Sequence, residues 1–322
     1  MPKKEEKEEE PNKSPADPRT LLSQKLKKAS KISDSSANVY VRNIIRLHKK
    51  SGSKTSVLKP TWLTGKLMKS VDGDRHLLLA GVKLLHALGK KKGKRYETWY
   101  KAMIDSSNAY KEKRSKAQLS ERETKKIGKT TFKQFTKTIR KLIPGIRRTL
   151  SKKPEDVSLK NILQIQEVLV LLCYTELPLR NELATVKISS INKESDNYLD
   201  KSKKSGYTLV LNAHKTQSKV GRRTHKISKG LARILNRFIP FLKHRGEHDY
   251  LLTSPRGKKM TTNGLSKYLN KITKKHFGTA FSSQIIRILY AQDKVGGLQV
   301  AKEAAKALGH NNLEMTLSYA KK

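Results

Sequence analysis

A single cysteine in 322 residues, Cys173, leaves no pair for a disulfide and no set for a cysteine metal site. It lies in the apolar run VLVLLCYT, so a reducing, intracellular setting is expected and oxidation state should not matter to the fold. Acidic side chains are scarce, with 27 Asp plus Glu against 71 Lys plus Arg and a formal net charge of +44. An imbalance so large and so widely spread is not one local patch; it implies a polyanionic partner. Nucleic acid comes first, because each Lys or Arg that neutralises a phosphate releases condensed counterions. No stretch reaches the ~18 consecutive apolar residues of a membrane span, and MPKKEEKEEEPNKSP lacks the apolar centre of a secretory signal, so neither a membrane nor that export route is expected. There is no Walker loop, no paired-carboxylate pattern and no His/Cys metal cluster, so no metal, nucleotide or other cofactor is expected. Clusters such as KLKK and GKKKGKR have the composition of nuclear-import signals, but in a chain this basic they arise without that meaning.

What is present suggests two or three domains, mostly α-helical with a small β-hairpin or sheet. Residues 1–35 read as a flexible charged tail, carrying Pro11, Pro15 and Pro18 and little to bury. Residues 36–115 read as a helical DNA-binding domain. In SANVYVRNIIRLHKKSG, Val39, Val41, Ile44, Ile45 and Leu47 fall at mostly helical spacing, while Arg42 and Arg46 belong to the basic face expected to grip duplex backbone. Residues 116–150, rich in Lys and Thr, read as a linker and the helix leading onward, and residues 151–322 as a second domain. There a long apolar helix breaks at Pro178, and GYTLVLNAHKTQSKVGRRTHKIS gives two strand-like runs around a turn at Gly221. The remaining segments, ending in LQVAKEAAKALGH, are helical in period.

The last of these helices should stop at Gly309 in a left-handed conformation, holding His310 in a tight corner. Asn311 or Asn312 can cap a following helix that has Glu314 in its first turn and carries Tyr319. Arg287 stands among Ile285, Ile286, Ile288 and Leu289, where a charge is costly to bury unless it meets an anion. Arg180 stands in LPLRNEL at the break after the long helix. Two such arginines converging on one phosphate would give forked hydrogen bonds to its non-bridging oxygens.

LGHNNLEMTLSY resembles the signature of tyrosine recombinases, the integrase family, in which Leu-Gly-His is followed nine residues on by the nucleophilic tyrosine. Arg287, 23 residues before His310, has the spacing of that family's second arginine; PLRNEL resembles its first-arginine motif, and Lys215 its hairpin lysine. The ordered set Arg180, Lys215, Arg287, His310, Tyr319 is what makes the resemblance specific. It implies an N-terminal helical core-binding domain and a C-terminal catalytic domain that clamp duplex DNA between them. Four protomers would cut and rejoin two sites in pairs, in an intracellular, DNA-containing compartment such as a host nucleus or cytoplasm. The flavour is that of integrases from large DNA viruses and mobile elements.

Such a set implies in-line attack by Tyr319 on a phosphodiester, giving a 3′-phosphotyrosine, with Arg180, Arg287 and His310 as donors to the developing charge and Lys215 protonating the leaving 5′ oxygen. Glu182 is expected to support this set. Gln284 stands where the family usually has a histidine, and glutamine cannot carry a proton. Lys219, Arg222 and Arg223 are expected to touch DNA phosphates. Two other readings remain open: a type IB topoisomerase with the same chemistry, and a DNA-binding derivative with weakened catalysis.

Overall fold

The structure is a computed structural model and describes residues 17–115, 119–202, 206–245, 248–294, 298–310 and 315–316. The chain divides into two compact units, Met1–Lys113 and Arg114–Lys322.

The first unit is built from α1 (Pro18–Ser30), α2 (Asp34–Ser51), α3 (Gly65–Ser70), α4 (Arg75–Ala87) and α5 (Lys94–Ser115). Its helices begin where polar side chains close the free N–H groups: Ser33 accepts from Ser36 N, and Asp74 accepts from His76 N and Leu77 N. Residues 18–30 differ from the tail expected of residues 1–35. Leu22 and Leu26, one turn apart, are fully buried against α2 and α4. Two such leucines contribute roughly 1.5–3 kcal/mol each, which outweighs the polar composition around them. Gly81 lets α4 approach α5, since a Cβ there would stand 2.5 Å from the buried Trp99 ring.

The second unit opens with α6 (Glu121–Ile127), α7 (Phe132–Arg140) and α8 (Ile143–Leu150), in the stretch expected as a linker and one leading helix. Capping boxes at Ser120 and Thr131 start α6 and α7. Phe132, Phe135 and Ile139 are buried on one face of α7, and the Phe135 ring lies 5.0 Å from that of Phe277. These helices therefore belong to the unit's own core and do not link two bodies. That core is centred on α9 (Leu159–Glu176), whose residues from Val168 to Tyr174 are all buried. Pro178 breaks the chain, and a 3-10 turn at Glu182–Thr185 leads into the sheet.

The sheet is small and mixed, in the order β1 (Val186–Lys187), β2 (Asn197–Ser202), β3 (Gly206–Leu211), β4 (Arg223–Lys226), with β1 parallel to β2 and the other pairs antiparallel. The short helix α10 (Gln217–Val220) lies in the connection from β3 to β4, and β4 forms one edge. Four helices follow: α11 (Lys229–Arg245), α12 (Thr262–Phe277), α13 (Ser283–Lys294) and α14 (Leu298–Leu308). Mostly helical, with one small sheet, the architecture is the expected one. No helix among the described residues is long and apolar enough to cross a membrane.

Candidate active site

α13 buries Ile285, Ile286, Ile288 and Leu289, and Arg287 goes in with them at 1% exposure. A guanidinium in that position must have its donors satisfied. Nη1 donates to the Pro178 carbonyl at 2.8 Å; Nη2 donates to the Leu308 carbonyl at 3.2 Å and meets His310 Nε2 at 3.1 Å. One side chain thus ties together the break after α9, the end of α14 and the histidine beyond it.

The corner holding His310 has the double hydrogen bond of a Schellman stop. Gly309 takes φ 64°, its N–H reaches the Lys306 carbonyl, and the His310 N–H reaches the Ala305 carbonyl at 2.9 Å. An arginine can only donate, so the Nε2 facing Arg287 is the accepting nitrogen. The ring proton then sits on Nδ1, 3.0 Å from the Thr316 hydroxyl.

Arg180 lies two residues beyond the carbonyl that Arg287 holds, and its own carbonyl accepts from the buried Tyr174 hydroxyl. Burial, then the Glu182 charge, push the Tyr174 phenol well above its ordinary value, while Arg287 opposes. Tyr174 is therefore a permanent donor and no candidate nucleophile. Nη1 of Arg180 and Oε2 of Glu182 are buried without a hydrogen-bond partner among the described residues, as are Nε and Nη1 of Arg223.

Arg223 parts company with its neighbours. Lys219 and Arg222 are exposed, Arg222 reaching the Tyr198 hydroxyl at 3.1 Å, but Arg223 is 6% exposed. Its Nη2 donates to the Ala307 carbonyl at 2.5 Å and lies 3.1 Å from His225 Nε2. A Cβ on Gly309 would stand 2.5 Å from its Nη1, so the guanidinium packs directly on the glycine, whose positive φ favours that residue. Burial lowers the Arg223 pKa; Glu182 opposes this and Arg180 adds to it, which places all three in one electrostatic neighbourhood. His225 is lowered to about 4 by burial, then by Arg223 and His214, so its neutral ring accepts from Arg223. A cleft of about 730 Å³ is lined by Arg223, His225 and His310.

Lys215 is exposed in the β3–β4 connection, beyond the end of β3 at Leu211. The adjacent Thr216 hydroxyl lies 3.3 Å from the Gly309 carbonyl, which sets the lysine's loop beside the histidine corner. Gln284 is not part of the gathering; it is exposed, and its amide donates to Glu123 Oε1 at 3.2 Å. Arg42 and Arg46 are exposed on α2 of the first unit, Arg46 at 3.9 Å from Asp74. Tyr319 lies outside the described residues, as do Asn311, Asn312 and Glu314.

The structure thus brings Arg180, Glu182, Arg287 and His310 into one neighbourhood, with the Lys215 loop at its side. The sequence reading missed the inward turn of Arg223 and passed over His225 and Thr216. The alternation of β4, whose residues 223 and 225 share a face, is the one signal that could have found the first two.

No family model and no curated protein sequence matches the chain. Solved structures do. The Tn1549 transposon integrase, in complex with transposon right end DNA, is 12% identical with a TM-score of 0.50, covering 95% of each chain. XerH site-specific recombinase bound to difH substrate is 14% identical with a TM-score of 0.47, covering 94% of this chain and 80% of that one. XerA recombinase is 13% identical with a TM-score of 0.40, covering 94% of each. At 12% identity the integrase match speaks for architecture alone, and in architecture the chain has the fold of the tyrosine recombinases.

Proposed function

We propose that the protein is a DNA strand transferase of the site-specific recombinase or integrase type, which cuts duplex DNA through a 3′-phosphotyrosine and rejoins it. The observation that carries this reading is Arg287, a buried guanidinium that joins the Pro178–Arg180 break to His310. A net charge of +44 supports a DNA partner, as does the transposon-end DNA bound by the integrase of like fold.

The chemistry follows from where charge develops. Tyr319 Oη attacks phosphorus in line, the P–O5′ bond breaks, and O5′ leaves with a proton from Lys215. The phenol gives up its own proton to solvent water as the new P–O bond forms. Arg180 and Arg287 donate to the non-bridging oxygens, where negative charge grows. His310 holds Arg287 in the free protein; to become a third donor it must carry its proton on Nε2, the opposite tautomer. Rejoining reverses each step, so the phosphotyrosine keeps the energy of the broken bond. Four protomers acting on two sites, as integrases of viruses and mobile elements act, complete the reading.

A second reading, a DNA-binding derivative that has lost strand transfer, is favoured by Gln284, which cannot carry a proton and is bound to Glu123. A nicked suicide duplex separates the two. A detergent-resistant protein–DNA adduct that disappears in Tyr319→Phe supports strand transfer. Tight binding without an adduct supports the derivative, and relaxation of supercoils by a monomer would make the protein a topoisomerase instead.

A further inference from the structure

We infer that Arg223 and Thr216 form a latch that fixes the Lys215 loop to the Leu308-Gly309-His310 corner, making Arg223 a positioning residue for leaving-group protonation. This rests on the strand-transfer reading and adds to it a residue pair that touches no substrate.

Three contacts build the latch. The Arg223 guanidinium crosses from β4 to the end of α14 and bonds the Ala307 carbonyl at 2.5 Å. The guanidinium packs on Gly309, where a Cβ would meet its Nη1 at 2.5 Å. Thr216, beside Lys215, reaches the Gly309 carbonyl at 3.3 Å. The loop between these anchors is itself braced: His214 Nε2 lies 2.8 Å from the Gly221 carbonyl, and Nδ1 lies 3.3 Å from the Thr216 hydroxyl.

What sets Arg223 apart is the carbonyl it holds: its Nη2 ties β4 to Ala307 in α14, while its Nε and Nη1 are covered and unpaired. A desolvated guanidinium with two idle donors is costly, and hydrophobic residues of like volume would stabilise the fold better. What the arginine supplies is a rigid fork from β4, which follows the connection carrying Lys215, to the end of α14, beside the histidine that holds Arg287. A general acid must sit within hydrogen-bond reach of the departing oxygen, and a misplacement of about 1 Å can cost on the order of a hundredfold in rate.

The test is single-turnover cleavage of two suicide duplexes, one with an ordinary scissile phosphate and one with sulfur at the bridging 5′ position. A thiolate leaves without a proton, so the sulfur duplex bypasses the general acid. Lys215→Ala, Arg223→Gln and Thr216→Val are compared with the unaltered protein, with DNA affinity measured for each. The latch predicts that Arg223→Gln slows the ordinary duplex about tenfold to a hundredfold, comes within about threefold of the unaltered protein on the sulfur duplex, and binds DNA within about twofold. Lys215→Ala should show the same rescue.

Slow cleavage of both duplexes by Arg223→Gln would place the residue on the phosphate and overturn the latch. So would weakened DNA binding with full cleavage at saturation, an unaffected rate, or a Lys215→Ala protein that sulfur fails to rescue. If Arg223→Gln does not fold, Thr216→Val, which removes one hydroxyl, must still show a smaller sulfur-rescued defect or the latch fails. Absence of any adduct with the unaltered protein overturns the strand-transfer reading and the latch with it; the other failures leave that reading standing.

Discussion

The two units bury different things. In the first, the described core is apolar throughout, from Leu22 to Trp99, and the Lys and Arg side chains stay on the surface. In the second, Gln166, Glu182, Asn197, Asn212, Arg223, Thr253, Thr273, Arg287, His310 and Thr316 are all buried. Some of these are structural: Gln166 exchanges two hydrogen bonds with the Thr253 backbone, at 3.0 and 2.8 Å, as a neighbouring strand would. Others cluster around the end of α14 with donors and acceptors left over. A core that holds only hydrocarbon is a scaffold for a surface, whereas one that retains desolvated charge keeps it against the cost of burial, for a task. Under the strand-transfer proposal, the first unit would be the grip and the second the reaction centre.

The sharpest way to break this contrast is Arg287→Met. It should lower adduct formation by about a hundredfold to a thousandfold, the scale of losing a fixed donor to a developing oxyanion. Thermal unfolding of the same variant should show destabilisation of about 1–3 kcal/mol, because the Pro178 and Leu308 carbonyls lose their donor. Near-normal cleavage would end the distinction.

Next in size is Leu78→Ala in the first unit, fully buried and expected to cost about 2–5 kcal/mol of stability by denaturant unfolding. Under conditions where this variant remains folded, the cleavage rate of bound DNA should stay within about twofold of the unaltered protein, since no group near the reaction is removed.

A third test uses acid. His225 titrates near 6.5 in the unfolded chain and near 4 in the folded one. Between those values the unfolded state binds more protons, so stability should fall as pH drops from about 6.5 to about 4, by roughly 2–3 kcal/mol. In His225→Gln that part of the slope should vanish, read by denaturant titration across the pH range.

The smallest effect should come from Arg42→Ala with Arg46→Ala. Both are exposed, so stability should hold. DNA affinity should fall several-fold at low salt, and the log–log salt slope should flatten by about one to two.

Much of this was legible in the residues because it rests on local rules. The Leu-Gly-His corner follows from a glycine after a periodic helix. The burial of Arg287 follows from four aliphatic neighbours. Other features were hidden for physical reasons. In α1 only two leucines, Leu22 and Leu26, reach the core, and the lysines and prolines around them masked the stripe. In α7, Phe132, Phe135 and Ile139 keep helical spacing, but the Lys and Thr between them gave the composition of a linker. Arg223 could not be seen turning inward because β4 reads Arg-Thr-His-Lys and carries no hydrophobic signal. Its direction is set by pairing with β3, where Leu211 stands opposite Arg223 and Leu209 opposite His225. The gathering of Arg180 with Arg287 depends on the path of the chain across more than a hundred residues, which spacing alone does not encode.

The edge position of β4 has one more consequence. An open strand edge is a template on which another polypeptide can add itself, and a short run of charged, hydrophilic residues is how soluble sheets discourage that. Replacing Arg223 and His225 with aliphatic residues would give the fold a better-packed interior and, by the same stroke, an adhesive border. Attempts to stabilise this protein through that strand should therefore be judged by whether it stays monodisperse, before any melting temperature is compared.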